Sequence, residues 1–258
     1  MSEIDPRLAA GRAFLKANWN AIEGVTSDQD AGVPVPVMEK PCPAGAATVD
    51  LVPADRLTVG ELSVREAIAG RRSRRAFSSD RMSLEEISYL LWATQGIAKL
   101  TPKWSLRTSP SGGARHPFET HLAVFRVDGV EPGLWRYQPI EHRLCRLGRS
   151  AEGMAAELDA ALFEQLFGCA VAFLWTAVPY RTEWRYHAVS HKVILLDAGH
   201  LCQNLYLAAE SIGCGTCGLG AYDQQALDRF LGVDGVDEMA VYAAPVGRKK
   251  PGEKLREE

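Results

Sequence analysis

The sequence lacks the features of several large protein classes. It has no run of about 18 consecutive apolar residues, so no membrane span is predicted. It has no excess of positive charge, and a formal net charge of -3 at pH 7 argues against a nucleic-acid-binding protein. Glu3 and Asp5 stand where a secretory signal would carry positive charge, and no apolar run follows them. We therefore expect a cytoplasmic protein that binds neither membranes nor nucleic acids.

Signatures of several enzyme classes are also missing. No GxGxxG opens a helix after a strand, which argues against a Rossmann dinucleotide-binding domain, and no GxSxG supports hydrolase chemistry. Cys214 and Cys217 form one CxxC pair, but neither a second pair nor an HxxxH completes a zinc site. We expect no bound metal. The six scattered cysteines are predicted to be mostly small buried side chains rather than a disulfide framework.

Composition divides the chain near residue 56. Residues 7–19 can form a short helix, whereas residues 31–53 contain five prolines and several glycines and alanines, which is typical of an extended segment. We therefore predict an N-terminal arm over residues 1–56 and a compact domain over residues 57–258.

Local signals predict four helices in the compact domain. Two of them begin with a serine followed three residues later by a glutamate, the spacing of a capping box: Ser63 with Glu66, and Ser83 with Glu86. The second of these is expected to end at Gly96. The longest helical pattern covers residues 190–212, and Gly213 suits the left-handed position that follows it. A short helix is predicted over residues 224–231.

Segments rich in branched and aromatic residues predict the β-strands. Three of them follow one another with turn signals between, as in a meander: residues 120–127, 133–138 and 143–147. Residues 169–178 are almost entirely apolar and predict a central strand covered on both faces, and residues 238–246 predict a final strand. Strands and helices do not alternate regularly, so the predicted fold class is α+β.

Four arginines surround Ser73 just before Phe77: Arg71, Arg72, Arg74 and Arg75. Charge runs usually face water, so one interpretation is a solvated basic turn. The other is an anion pocket, because guanidinium groups bind phosphate through paired N–H donors. Two glycine-rich segments, residues 108–117 and 213–220, would let the backbone approach a flat ligand, although each is a weak signal alone.

In their order along the chain, these segments resemble the nitroreductase superfamily, and especially its SagB-type dehydrogenase branch. The similar segments are RRSRRAF at 71–77, LLWATQG at 90–96, SPSGGARHPFE at 109–119, LDAGHLCQNLYLAAESIG at 196–213, CGLGAYD at 217–223 and PVGRKK at 245–250. The resemblance implies a nitroreductase-like fold, in which helices flank a central mixed, mainly antiparallel sheet. It also implies an intertwined homodimer with FMN bound at the interface.

The resemblance further implies a set of cofactor-binding residues. For the FMN phosphate and ribityl chain they are Arg71, Arg72 and Ser73, with Arg75 from the same cluster. The partner subunit lines the flavin with Ser109, Pro110, Ser111 and Gly112, and Gly218, Leu219 and Gly220 lie against the isoalloxazine ring. Arg248 closes on the phosphate, with Lys249 as the alternative.

Azoline dehydrogenases of this branch carry a Lys-Tyr pair before the long helix, and the matching positions here are Arg185 and Tyr186, followed by His187. Arginine stays protonated in proteins, so Arg185 cannot be an efficient base, although it can hold a carboxylate or stabilise negative charge. This departure argues against azoline oxidation. Tyr186 and His187 are the remaining proton-transfer candidates. The alternative for all three is the polar rim of a loop-like stretch.

The predicted function is hydride transfer to FMN N5 by a SagB-type dehydrogenase that oxidises a peptide or a small natural-product intermediate. One alternative is an NAD(P)H-dependent nitro or quinone reductase. Another is a non-catalytic protein that stores flavin or assists an assembly. The two enzymatic hypotheses differ in the compound that reduces the flavin: only an organic substrate for the dehydrogenase, and NAD(P)H for the nitro or quinone reductase.

Overall fold

The computed structural model describes residues 4–250. Its helices are α1 (Pro6–Phe14), α2 (Val64–Gly70), α3 (Leu84–Gln95), α4 (Met154–Ala161), α5 (Tyr180–Tyr186), α6 (Ser190–Ser211) and α7 (Gln224–Leu231). Its strands are β1 (Thr48–Asp50), β2 (Ile97–Leu100), β3 (Ser105–Arg107), β4 (Phe118–Val124), β5 (Gly133–Gln138), β6 (Arg143–Arg146), β7 (Val171–Ala177), β8 (Cys214–Thr216) and β9 (Met239–Arg248).

Seven of the strands form one sheet in the order β1-β6-β5-β4-β7-β9-β8, and β2 and β3 form a separate hairpin. Every ladder between named strands is antiparallel, and parallel pairing is confined to isolated bridges. The predicted meander is confirmed as β4, β5 and β6. The predicted central strand is confirmed as β7, which is buried along its whole length between β4 and β9. The fold class is therefore α+β, as expected.

Local capping explains where α2 and α3 begin. Ser63 accepts a hydrogen bond from the Glu66 backbone N–H while the Glu66 carboxylate accepts one from Ser63 in return, and Ser83 and Glu86 repeat the pattern. These reciprocal bonds satisfy two amide groups that a helix start leaves unpaired. The long α6 is followed by Gly213 at φ +71°, a conformation that favours glycine.

Alternating side chains of the sheet build two apolar cores. On one face, residues such as Leu122, Phe173 and Trp175 pack with residues of α3 and α6. On the other, Ala123 and Leu174 pack with residues of α4 and α7. Because strand residues alternate between faces, β4 and β7 contribute to both cores.

Part of the second face is polar and is covered by the N-terminal arm. Glu119 is 1% exposed, accepts a hydrogen bond from the Lys40 N–H at 2.9 Å and pairs with the Arg181 guanidinium. Arg136 donates to the Pro41 carbonyl at 2.6 Å. A disulfide joins Cys42 of the arm to Cys145 of β6. The arm is thus held against the sheet by buried charges and by a covalent bond.

The cysteine pairing was not anticipated from the sequence. Cys169, Cys202, Cys214 and Cys217 are free and buried, which agrees with the expectation of small buried side chains. Cys42 and Cys145 depart from it, because the fold brings together two residues separated by 103 positions.

Several other elements differ from the prediction, among them the short strands β1 and β8, which were not predicted. The stretch containing Arg185 and Tyr186 was interpreted as loop-like, but both residues lie in α5. The β2-β3 hairpin and α4 were not predicted, because they are short and have weak local signals. None of the helices within residues 4–250 is long and apolar enough to cross a membrane.

Candidate functional site

The arginine-rich segment follows directly after α2. Arg72, Ser73 and Arg75 are exposed to solvent, and the Arg71 guanidinium lies 5.3 Å from the centre of the Tyr206 ring. Arg72 donates only to two nearby backbone carbonyls. In the part of the chain that the structure describes, neither Arg72 nor Arg75 forms an ion pair with a carboxylate. The segment therefore presents positive charge that an external anion can neutralise.

Tyr206 of α6 connects this segment to the second glycine-rich segment. Its Oη lies 3.0 Å from Ser73 Oγ and accepts a hydrogen bond from the Gly218 N–H at 2.7 Å. The Arg74 N–H donates to the Thr216 carbonyl at 2.9 Å, which aligns the two segments side by side. Burial raises the pKa of Tyr206, so its hydroxyl stays protonated and can donate to Ser73. The structure thus brings Ser73 and Gly218 together.

The glycine loop itself is closely packed on one side and open on the other. A Cβ atom on Gly218 would lie 2.6 Å from Tyr242 Oη and 3.0 Å from Cys202 Sγ, so a larger residue would require these side chains to move. Leu219 is held by a two-way backbone pairing with Ala243. The position of a Cβ on Gly220 has no atom within 4 Å. The loop can therefore present its backbone to a ligand from the Gly220 side.

The first glycine-rich segment is anchored by Asp197 of α6. Ser111 Oγ donates to Asp197 Oδ2 at 2.6 Å, and the Gly112 N–H donates to the same carboxylate at 3.1 Å. Burial raises the pKa of Asp197. Of the two neighbouring residues, Ser109 is buried and Pro110 is exposed. Ser111 and Gly112 thus lie beside the N-terminal half of α6.

Two of the three predicted catalytic residues, Arg185 and Tyr186, lie against this same loop, whereas His187 lines a neighbouring groove with Asp28 and His191. Arg185 and Tyr186 end α5, and the Arg185 guanidinium lies 5.4 Å from the centre of the Tyr186 ring. A Cβ on Gly113 would lie 2.5 Å from Tyr186 Oη, so the loop and the phenol are in close contact. Trp19 of the arm packs edge-on to Tyr186, with ring centres 5.6 Å apart. His187 has φ +48°, and such backbone strain concentrates at functional sites.

The predicted residues therefore form two clusters on one chain. The phosphate cluster comprises Arg71, Arg72, Ser73, Arg75, Gly218, Leu219 and Gly220. The mouth cluster comprises Ser109, Pro110, Ser111, Gly112, Arg185, Tyr186 and His187. Tyr206 anchors the first and Asp197 the second, nine positions apart on α6, which corresponds to about 14 Å along a helix. Within one chain, the clusters lie beside opposite halves of the same helix.

Arg248, the residue predicted to close on the phosphate, has partners within the chain. Its guanidinium pairs with Glu86 at 2.8 Å and donates to the Arg81 carbonyl at 3.0 Å. Lys249 pairs with Glu210 at 2.5 Å, and a Cβ on Gly70, directly before the arginine-rich segment, would lie 2.9 Å from the same Glu210 oxygen. Lys249, the alternative to Arg248, is therefore the basic side chain placed closer to the end of α2.

Sequence reasoning missed Asp197, Tyr206 and Trp19. Each acts through a contact with a segment far away in the chain, and no local pattern signals such a contact. Cys214 and Cys217, considered for a zinc or redox pair, are both buried and free. No group of three or more His, Cys, Asp or Glu side chains within residues 4–250 could hold a metal ion.

Comparison with known proteins gives a consistent result at the level of sequence. The profile of the nitroreductase family matches residues 68–248. The nitroreductase-type protein MJ1384 of Methanocaldococcus jannaschii is 33% identical over 193 residues, which cover 74% of this chain and 93% of that protein. The trifolitoxin-processing protein TfxB of Rhizobium leguminosarum bv. trifolii is 30% identical over 146 residues. That match spans 54% of this chain but only 39% of TfxB.

Solved structures agree on the fold. A nitroreductase-type structure from Ralstonia eutropha JMP134 superposes with a TM-score of 0.65 at 23% identity, covering 84% of this chain and 97% of that one. A chain of the Escherichia coli microcin synthetase McbBCD complex, solved with truncated pro-MccB17 bound, superposes with a TM-score of 0.61 at 18% identity. That match covers 96% of this chain and 95% of the other.

Proposed function

The chain belongs to the nitroreductase family, and from that premise we propose that it is an FMN-dependent oxidoreductase of the SagB-type branch. The observation that carries the proposal is the phosphate cluster, where exposed guanidinium groups without a carboxylate partner among residues 4–250 meet a glycine loop through Tyr206. We assign FMN binding to the compact domain, residues 57–258, and describe residues 1–56 as an N-terminal arm that packs on this domain in a cytoplasmic protein.

The residues present fit the phosphate of FMN. Arg72 and Arg75 offer charged donors, and the Ser73 hydroxyl adds a neutral one, and no carboxylate among the described residues would have to be displaced from these arginines. Lys249 or Arg248 would add a further cation once released from its glutamate partner. Gly218, Leu219 and Gly220 would lie along the ring, because the open side at Gly220 leaves room for a flat ligand. The chemistry supplied by bound FMN is hydride exchange at its N5 atom.

The mouth cluster is proposed to handle the substrate. Arg185 remains cationic and can orient or neutralise a negative group. Tyr186 has a hydroxyl next to the loop, and His187 is exposed beside it, so either can exchange a proton with a bound substrate. The relative TfxB, a trifolitoxin-processing protein, and the structural similarity to a chain of the McbBCD microcin synthetase, solved with truncated pro-MccB17 bound, support a peptide substrate, with a small natural-product intermediate as the other option.

A homodimer would unite the two clusters. In that arrangement, the loop of Ser109 to Gly112 from one subunit completes the flavin site beside the phosphate cluster of the other. An apolar groove of about 320 Å³ lies between α2, α3 and α6, where Val64, Tyr89, Trp92 and Leu207 contribute to its lining. Val64 is 71% exposed on the single chain. Burial of such an apolar surface is typical of obligate dimer interfaces.

The dimer has a direct test by light scattering. We expect the purified protein to have the mass of two chains, and Val64→Asp to give single chains because it places a charge in the groove. The matched control is Val236→Asp, since Val236 is 75% exposed and lies in the turn before β9. A monomeric wild-type protein, or equal behaviour of both variants, would contradict the proposed interface.

The cofactor and electron flow are tested together. We expect the purified protein to have the absorbance of oxidised flavin and to release FMN on heating. Anaerobic bleaching by a peptide substrate but not by NADH or NADPH would support the dehydrogenase. Rapid bleaching by NAD(P)H would instead support a nitro or quinone reductase. A colourless protein that also fails to bind added FMN would overturn the proposal in favour of a non-catalytic role.

A further inference from the structure

Two arginines, Arg115 and Arg185, flank Gly113, which directly follows Gly112 of the mouth cluster. Arg115 Nε donates to the Gly113 carbonyl at 3.1 Å. On the other side, Arg185 Cδ and Nε lie 3.0 and 3.1 Å from the position that a Cβ on Gly113 would take. Both guanidinium groups rest on aromatic rings, with Arg115 5.1 Å from the centre of Trp184 and Arg185 5.4 Å from the centre of Tyr186. The two cations are thereby positioned close to one another.

Neither cation has a carboxylate partner within residues 4–250. Arg115 is half-buried, and its pKa is lowered by burial and then by the positive charge of Arg185. Two like charges that share one small region repel each other, and a partly buried guanidinium has lost some of its hydration. An anion bound between them would relieve both penalties.

The backbone at this point is unusual and makes the approach possible. Gly113, Ala114 and His116 have φ values of +59°, +54° and +46°, all in the left-handed region. Left-handed conformations at non-glycine residues are costly and persist where the surrounding structure enforces them. Here they turn Arg115 toward Trp184 while leaving Gly113 exposed to Arg185 and Tyr186.

We propose that Arg115 and Arg185 form a binding site for a carboxylate group of the substrate, next to the Tyr186 hydroxyl. Guanidinium groups bind carboxylates through short, charge-assisted hydrogen bonds, and two of them can engage both oxygens. This inference rests on the proposed function, because it names the substrate class of that site: a molecule with a free carboxylate. In a peptide, the carboxylate belongs either to the C-terminus or to an acidic side chain.

Binding of small probes to the FMN-supplemented protein tests this site by calorimetry. The probes are N-acetylphenylalanine, which has a terminal carboxylate; N-acetylaspartic acid α-amide, which has a side-chain carboxylate; and N-acetylphenylalaninamide, which has none. We expect at least one acid to bind ten-fold or more tightly than the neutral amide. The preferred acid identifies whether a terminus or a side chain is recognised.

Variants then assign the contact. Arg115→Gln and Arg185→Gln should each weaken binding of the preferred acid about ten-fold or more, since one charged hydrogen bond contributes about 1.5–3 kcal/mol. Binding of the neutral amide should not change. Arg56→Gln removes the same charge from an exposed position outside the site and should have no effect. If Arg115→Gln does not fold, Arg115→Lys serves instead, because it keeps the charge but loses the paired donors.

The outcomes separate this inference from the proposed function. Equal affinity for acids and amide, or acid binding that is unaffected by both arginine variants, overturns the carboxylate site. The binding measurement does not depend on turnover. If acids bind through these arginines but no substrate or NAD(P)H changes the oxidation state of the bound FMN, the carboxylate site is supported and the oxidoreductase function is refuted. If neutral peptides are turned over and acids are not preferred, the oxidoreductase function is supported and the carboxylate site is refuted.

Discussion

The arginines beneath the N-terminal arm differ from those at the candidate site. Arg107, Arg136 and Arg181 are less than 8% exposed, and each has partners within the chain: arm carbonyls for Arg107 and Arg136, and Glu119 for Arg181. Arg72 and Arg185 are exposed and have no carboxylate partner within the described residues. All of these residues are arginines, so the sequence alone does not show which of them are buried and paired and which are exposed.

The first group of arginines stabilises the fold, whereas the positive charge of the second group is available for a ligand. A buried guanidinium that already donates to carbonyls and carboxylates stabilises the fold, and losing its partner leaves an uncompensated charge in the interior. A guanidinium without such a partner contributes little to the fold and can bind an incoming anion. Loss of a buried charge pair should therefore lower the free energy of unfolding, whereas loss of an exposed arginine at the candidate site should lower the affinity for a ligand.

The largest effect is expected for Glu119→Gln. Removal of this carboxylate leaves the buried Arg181 unpaired, so the free energy of unfolding should fall by about 3–5 kcal/mol. Urea denaturation measures the change. The control is Asp128→Asn, which breaks the exposed Arg81–Asp128 pair and should cost at most about 1 kcal/mol. Similar losses in both variants would show that burial does not distinguish the two pairs.

The next effect is expected for the covalent attachment of the arm. Cys42→Ser opens the disulfide, which links residues 103 positions apart, and should lower the free energy of unfolding by about 2–4 kcal/mol. A reductant should destabilise the wild-type protein by a similar amount and should not affect a Cys42→Ser/Cys145→Ser double variant. If the wild type does not respond to reductant, the bond does not form in solution.

A smaller effect on a different quantity is expected for Arg72→Ala. FMN binding should weaken by about 1.5–3 kcal/mol because a charged hydrogen bond to phosphate is lost. The free energy of unfolding without FMN should change by less than about 0.5 kcal/mol. Flavin fluorescence titration measures the affinity, with Arg56→Ala as the control at another exposed arginine. Unchanged FMN affinity would remove Arg72 from the phosphate site.

Arg248→Ala sharpens this result, because that side chain pairs with Glu86 in the free chain. A loss of FMN affinity as large as for Arg72→Ala supports the predicted phosphate contact. A loss of stability alone indicates that the Glu86 pair is its function, and directs attention to Lys249.

The smallest effect concerns pH. Burial raises the pKa of Glu39 in the arm to about 7. A carboxyl group with a raised pKa stabilises the fold while it is protonated. The contribution of Glu39 is therefore complete below a pH of about 4.5, its ordinary pKa, and is lost as the pH rises through 7. Glu39→Gln should flatten the fall in stability between pH 5 and 8, by on the order of 1 kcal/mol. Parallel pH profiles of the two proteins would contradict this assignment.

Local sequence signals predicted some of these features and could not predict others. The helix starts at Ser63 and Ser83 were predictable because a capping box lies within four residues. The basic segment around Ser73 was predictable because its residues are contiguous. Asp197 and Arg115 were not identified, since their significance arises from loop contacts that only the folded chain creates. The pairing of Cys42 with Cys145 was missed for the same reason.

The arm also supplies an edge of the central sheet. β1 lies within it and pairs with β6 over only three residues, Thr48 with Cys145, Val49 with Leu144 and Asp50 with Arg143. An unpaired strand edge is a template for pairing with another chain, and a short covering strand is one way in which proteins suppress this. Detachment of the arm would expose the backbone of β6, and this unpaired strand edge could then pair with another chain and lead to aggregation. The arm therefore protects the sheet from self-association as well as covering its polar face.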